Sequence, residues 1–160
     1  MSYIVFDVEA NGYREVADKV WVLSYAIDEG EVVSDYSETG EIDYERFLDV
    51  CSRCNILVGH NILNYDLPLL KRLYRSLPDG LEFVDTVVWS RLLWPDLPSP
   101  DGWVGKPQPH SLEAWAMRFG DELKVDQERW DVFDPNMVDR CESDVRLTRK
   151  LYKKILQELK

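Results

Sequence analysis

Asp7 and Glu9 interrupt and follow Tyr3-Ile-Val-Phe-Asp-Val8, a run of β-forming residues that is apolar on both faces. The period of two along a strand puts Asp7 and Glu9 on one side. Burying an ionised carboxylate without a partner is costly, so two aimed together at a strand's end call for a cation. Hard oxygen ligands point to magnesium or manganese. The spacing alone carries nothing: Asp43/Glu45 and Asp126/Glu128 repeat it, and chance places one or two such triplets in a chain with 17 Asp and 13 Glu. The competing explanation is a strand end fraying into solvent with acids at its rim. Asp66 follows the apolar stretch 55–59 where a helix begins, and taken singly it is better explained as a helix N-cap. Asp144 falls inside the apolar stripe Cys141, Val145, Thr148, Leu151, where an acid is unusual unless it stands at an exposed edge. Four acids brought together by strand ends and one helix suffice for two metal ions. Such a pair catalyses in-line displacement at phosphorus.

The elements that must position these residues are legible in the hydrophobic pattern. Tyr3 to Val8, Val20 to Asp28 and Glu31 to Ser37 read as strands, with Asp28-Glu-Gly30 as a hairpin turn. Tyr44 to Arg53 has helical spacing and Asn55 to Gly59 reads as a short buried strand, which makes a β-α-β unit. A helix is predicted after Asp66-Leu-Pro68 through Leu77, and another over Thr86–Trp94 capped by Asp85. Five prolines and two glycines mark Pro95 to Pro109 as a loop. Ser111 caps a helix that ends at Gly120, and Asp134-Pro135 opens a last helix with its apolar face through Val138, Cys141, Val145, Thr148, Leu151, Tyr152, Ile155 and Leu159. A meander followed by alternating helices and strands predicts a mixed sheet with helices on its faces, an α/β layered domain.

A chain of 160 residues with 45% hydrophobic residues, 19 of them aromatic, supports one core spanning 1–160. The net charge of −11 argues against retention on nucleic acid or anionic membrane by bulk electrostatics. With apolar runs of at most four residues and acids at Asp7 and Glu9, neither a membrane span nor a signal peptide fits, and a cytoplasmic location is expected. Three cysteines agree with that. Cys51-Ser-Arg-Cys54 has metal or redox spacing, but no second pair follows, so a zinc site would need Cys141, His60 or His110 brought in by folding; the alternative is two helix cysteines, at least one in the core.

Phe6-Asp7-Val8-Glu9, Gly59-His60-Asn61-Ile-Leu-Asn-Tyr65-Asp66 and Asp139-Arg-Cys-Glu-Ser-Asp144 resemble, in order, the three motifs of DEDD-type 3′-to-5′ exonucleases. Val84 to Leu92 and His110 to Trp115 are similar to segments of the proofreading domains of bacteriophage family-A DNA polymerases, so the likeness covers nearly the whole chain. The resemblance implies an RNase H-like three-layer fold, a mixed sheet of antiparallel meander and parallel strands flanked by helices. It also implies two Mg²⁺ or Mn²⁺ ions on Asp7, Glu9, Asp66 and Asp144, and removal of nucleotides from single-stranded or frayed 3′ ends of DNA. Asn61 matches a motif position and could bond the terminal nucleotide, or could simply cap a turn. The expected setting is a phage-like replication system in a host cytoplasm, with a separate DNA polymerase or replication protein as partner, docked on the proline-rich loop or the last helix, because no polymerase domain follows Lys160.

The second departure from the family lies four residues before Asp144. The tyrosine-type branch has Tyr there and this chain has Arg140; Asp139 stands where the histidine-type branch has His. A guanidinium is no base, so Arg140 is expected to hold phosphate, with a salt bridge to a nearby acid as the alternative. Trp103, in the proline-rich loop with Lys106, is the stacking candidate for an unpaired base, while Trp89 and Trp115 read as core. Basic residues at Lys71, Arg72 and Arg75 and from Arg146 to Lys154 suit phosphate contact or a solvated helix face equally. Asp28 to Glu45, with eight acids and no Lys or Arg, is expected to face away from DNA. Two other functions fit the same residues: an oligoribonuclease-like RNA exonuclease, and a catalytically weak docking or end-binding subunit of a DNA polymerase.

Overall fold

The computed structural model describes residues 1–122 and 127–160; Asp126 of the third acid triplet lies outside them. Five strands form one mixed sheet in the order β3-β2-β1-β4-β5, with β1 (Tyr3–Ala10) at its centre. β2 (Val20–Ile27) pairs antiparallel to β1, and β3 (Val33–Tyr36) antiparallel to β2. On the other side β4 (Ile56–Gly59) lies parallel to β1, and β5 (Glu82–Asp85) parallel to β4. Helices α1 (Tyr44–Cys51), α2 (Asp66–Leu73), α3 (Thr86–Leu93), α4 (Leu112–Phe119) and α5 (Asn136–Glu158) are the other elements among the described residues. The expected α/β layered architecture is therefore present.

Strand alternation divides β1 between two cores. Ile4, Phe6, Val8 and Ala10 pack with Phe47, Leu48 and Cys51 of α1 and Leu69 and Leu70 of α2. Val5 faces the opposite way, against Val145 and Tyr152 of α5. α5 also covers β2 through Met137 and Cys141 beside Trp21 and Val22. Its outer turns hold Leu151 and Ile155 against Trp115 of α4, with Trp89 of α3 at the margin, so both tryptophans are packing residues as expected. No described helix is long and apolar enough to cross a membrane.

The differences from the sequence pattern are local. β5 is not apparent in the sequence, because Glu82-Phe-Val-Asp is an edge strand half made of acids, and its pairing with β4 alone defines it. α2 ends at Leu73 and not Leu77: Tyr74 turns extended, stacks its ring on Tyr44 at 4.4 Å, and leads to Pro78, which cannot continue a helix. The proline-rich loop is tied down, since Arg118 donates to the carbonyls of Pro109 and Pro98 and His110 Nδ1 lies 2.7 Å from the buried Ser90 hydroxyl.

Gly59 ends β4 where the chain turns toward α2. A Cβ there would stand 2.2 Å from Cγ2 of the buried Ile62 and 3.3 Å from the Phe6 carbonyl. Ile62 branches at its own Cβ and cannot swing clear without moving the turn. Gly59→Ala should therefore cost roughly 1–3 kcal/mol, as overpacking does, read as a lower urea midpoint at unchanged m-value. A wild-type midpoint would show that the turn accommodates the methyl.

Candidate active site

The face of β1 that carries Val5 also carries Asp7 and Glu9, and α5 crosses that face. Cys141 seats its thiol 3.3 Å from the Asp7 carbonyl, and one turn later Asp144 enters the same space. Oxygens of Asp7, Glu9 and Asp144 all lie within 4.8 Å of one another, the only such group of potential metal ligands among the described residues. Glu9 is 8% exposed, Asp66 3% and Asp144 7%. Neither a frayed strand end nor an exposed helix edge accounts for burial of that degree.

Asp66 arrives from the opposite helical layer. The N-cap explanation fails for it: Tyr65 occupies the cap position without a side-chain capping bond, and Asp66 is the first helical residue and buried. Burial pushes its carboxyl well above the ordinary range, and the negative charge of Asp7, with Glu9 behind it, pushes further, while the Asp66 and Val8 amides pull the other way. Its Oδ1 is buried without a hydrogen-bond donor. An orphaned oxygen beside three clustered carboxylates is a donor set suited to a hard divalent cation such as Mg²⁺ or Mn²⁺, so the residues fit the metal that their motifs imply.

The turn that delivers Asp66 is fixed by Asp85. Its carboxylate accepts from the amides of Asn61 at 2.8 Å, Leu63 at 3.0 Å and Val87 at 3.1 Å, tying the end of β4 to the start of α3. Asn61 sits at φ 62°, a left-handed position that Asn tolerates, and its side chain is exposed. The turn-forming explanation of this residue is thus satisfied, with the side chain still available to a ligand. Arg140 is on the α5 face toward the acids while Asp139 is exposed: Arg140 Nε stands 3.7 Å from Glu9 Oε1, and its guanidinium carbon 5.5 Å from the Trp130 ring centroid.

Two hollows flank the cluster. A cavity of about 440 Å³ is lined by Glu9, Gly12, Tyr13, Tyr65 and Trp130. A second, of about 540 Å³, lies between α4 and α5 and is lined by Glu113, Arg140, Asp144 and Lys150 among others. Tyr13 is largely exposed, and Tyr65 is fixed by donation to the Gly12 carbonyl at 2.7 Å. Trp130 and Tyr13 escape sequence reasoning. Trp130 lies in a segment without periodicity, anchored by the Trp21 indole donating to its carbonyl across 109 residues. Only an aromatic between two acidic stretches marked it. Trp103 lines neither hollow; its indole donates to the Lys106 carbonyl within the loop.

Several residues of the basic clusters make intramolecular contacts. Arg72 donates to the carbonyls of Arg14 and Ala17, Arg75 pairs with Glu45, Arg149 holds the carbonyls of Asp28 and Gly30, and Lys153 pairs with Glu29 at 2.9 Å. Cys51 is buried in the α1 core, its thiol pushed up to about 12 by burial, and neither it nor Cys54 joins a metal-ligating group among the described residues. The Cys141 thiol is held far above its usual range, first by burial and then by Asp7 and Glu9.

No family model matches the chain. It is 30% identical to the DNA-directed DNA polymerase of Escherichia phage T7 over 196 aligned positions, which take in 97% of this chain and 27% of the polymerase. The chain thus spans about a quarter of the length of the curated relatives it matches. Among solved structures it is similar to Brucella melitensis NrnC bound to pGG, with a TM-score of 0.71 at 17% identity over 98% of this chain and 72% of that one. NrnC with bound Mg²⁺ gives a TM-score of 0.68 at 18% identity, over 98% and 73%. Escherichia coli RNase D, an exoribonuclease involved in structured RNA processing, gives 0.65 at 14% identity, over 98% and 39%. The fold is the RNase H-like fold of these nucleases, as the motifs implied.

The raised Asp66 carboxyl has a consequence for stability. A folded-state value above the unfolded one means that the folded protein binds the extra proton, so stability falls as pH rises from the unfolded carboxylate range through the folded value. In EDTA, wild type should melt lower at pH 8 than at pH 5.5. Asp66→Asn, which keeps an acceptor for the Val8 amide, should raise the melting temperature at pH 8 and flatten the profile. A pH profile of that variant running parallel to wild type would remove Asp66 as the source.

Proposed function

We propose that the chain is a metal-dependent 3′-to-5′ exonuclease that hydrolyses phosphodiester bonds at the 3′ end of DNA, with residues 1–160 as one exonuclease domain. The observation that carries this reading is the meeting of Asp7, Glu9 and Asp144 within 4.8 Å, beside the buried Asp66. Two divalent ions held by these four acids would supply an activated water and neutralise charge on the leaving oxygen. The chain's own part is to hold the acids rigidly, to take up the terminal base in the hollow between Tyr13 and Trp130, and to orient the strand. Asn61, at the exposed turn, is suited to a polar contact with the terminal nucleotide, and Arg140 to the phosphate. Neither Tyr nor His stands at the position that orients the water elsewhere in the family, so that task falls to the metal-bound acids.

The net charge of −11 gives little non-specific attraction for a polyanion. We infer that the protein works when recruited by a DNA polymerase or replication protein. The likeness to a phage polymerase supports that setting and the cytoplasm of a host cell. A second reading, cleavage of short RNA, is favoured by the likeness to NrnC bound to pGG and to an exoribonuclease. A contact to the 2′-hydroxyl would decide between them.

The deciding assay follows 5′-labelled single-stranded DNA and RNA with Mg²⁺, Mn²⁺ or EDTA. The expected result is a one-nucleotide ladder on DNA with metal and none in EDTA. A ladder on RNA alone would establish the second reading, and no cleavage of either, with end-binding retained, would mark a docking module. Asp7→Ala or Asp144→Ala should lower turnover at least about a hundredfold, near 2.7 kcal/mol of transition-state stabilisation, without loss of the fold by circular dichroism. Near wild-type rates in Asp7→Ala would displace the assignment. Trp130→Ala should raise KM for a normal 3′ end while leaving an end that lacks its terminal base unaffected.

A further inference from the structure

One positive charge is built into the edge of the carboxylate cluster. Arg140 Nε lies 3.7 Å from Oε1 of Glu9, the Arg140 side chain is 25% exposed and that of Glu9 9%. Glu9 is itself within 4.8 Å of Asp7 and Asp144. A guanidinium stays protonated at any physiological pH, so this charge is permanent. The tyrosine that the exonuclease motif carries at this position is neutral.

We propose that Arg140 is the resident counter-charge of the cluster: it competes with divalent cations at Glu9 and so sets how strongly the site takes up metal. The inference rests on the metal-site reading above and adds a regulating element to it. Three features make the contact a competitor and not a permanent seal. The Nε to Oε1 approach is 3.7 Å, longer than a charge-assisted hydrogen bond. The guanidinium has a second partner in the same position, the Trp130 ring, with its carbon 5.5 Å from the centroid, and the Trp130 carbonyl is anchored by the Trp21 indole at 2.8 Å, so its placement does not depend on Glu9 alone. Both partners are largely withdrawn from water, where salt screens them little. Asp7, Glu9, Asp66 and Asp144 repel one another, and a guanidinium at Glu9 relieves part of that repulsion. A cation arriving at Glu9 must overcome it. Arg140 then stands beside the metal-bound acids, where a substrate phosphate would next need a positive partner.

The test reads metal binding directly and needs no turnover. Mn²⁺ is titrated calorimetrically into wild type, Arg140→Gln, Arg140→Tyr and Arg140→Lys, each checked for folding, and the same proteins are melted in EDTA and in saturating Mn²⁺. Either neutral variant should bind Mn²⁺ at least about fivefold more tightly than wild type, the low end of ordinary site-to-site coupling, while Arg140→Lys should stay within about twofold. In EDTA the neutral variants should melt below wild type, and saturating Mn²⁺ should close the gap. Two neutral replacements of different size keep the result independent of one variant's packing. Equal or weaker Mn²⁺ binding in both neutral variants would overturn the proposal, as would a lysine variant that behaves like the glutamine one. Uptake by none of the four proteins would remove the metal site itself, and both readings with it.

Discussion

Like charges are held together against their repulsion, and the rest of the molecule is arranged around that constraint. At 4.8 Å and an effective dielectric near 20, two carboxylates repel by about 3 kcal/mol. What confines them is apolar burial on either side. Met137, Cys141, Val145, Leu151 and Ile155 of α5 are each at most 1% exposed, and a fully buried aliphatic side chain contributes roughly 1.5–3 kcal/mol. The acids are therefore not a stabilising element; they ride on a helix and a strand whose packing holds without them. β1 contributes in the same way, since Phe6 and Val8 are buried on the face opposite Asp7 and Glu9.

The register of β1 explains how a strand can serve a core and a cluster of acids at once. Asp7 pairs with Ser24 and Glu9 with Val22, and the pairing shifts between Glu9 and Ala10, so the irregularity falls just past the second acid. A slip of one residue would turn both acids into the α1 and α2 core and Phe6 and Val8 onto the site. Burial of the hydrophobic residues thus fixes the chemistry of the opposite face. α2 reaches the site from the other layer, and Asp85 makes that possible by binding three amides of the chain that leads into and out of the turn.

Much of this was legible in the sequence because the acids broke patterns. Asp7 stands in a doubly apolar run and Asp144 in an apolar stripe, and both irregularities proved to be inward-facing carboxylates. Asp66 broke no pattern: a helix start is an ordinary place for Asp, and only tertiary burial separates a candidate ligand from a cap. Arg140 was legible through its helical offset from Asp144, and the structure gives it both a nearby acid and an aromatic platform. Trp130 and the short strand β5 were not legible, because neither has periodicity of its own. One is placed by a hydrogen bond from Trp21, the other by a neighbouring strand. Trp103 drew notice through its place in the proline-rich loop beside Lys106, and its indole is bonded within that loop.

Cys141 seats its thiol against the Asp7 carbonyl, and a sulfur beside a candidate active site is ordinarily a point of weakness. Peroxide and alkylating agents attack the thiolate and not the thiol. Burial and the carboxylates of Asp7 and Glu9 keep Cys141 protonated, so the acids that would draw metal also shield the sulfur under them from oxidation. Damage of that kind would fall first on the less buried Cys54, just past the end of α1. The carboxylate cluster is in this sense chemically quiet toward oxidants while its charge suits cations, and one set of negative charges accounts for both properties.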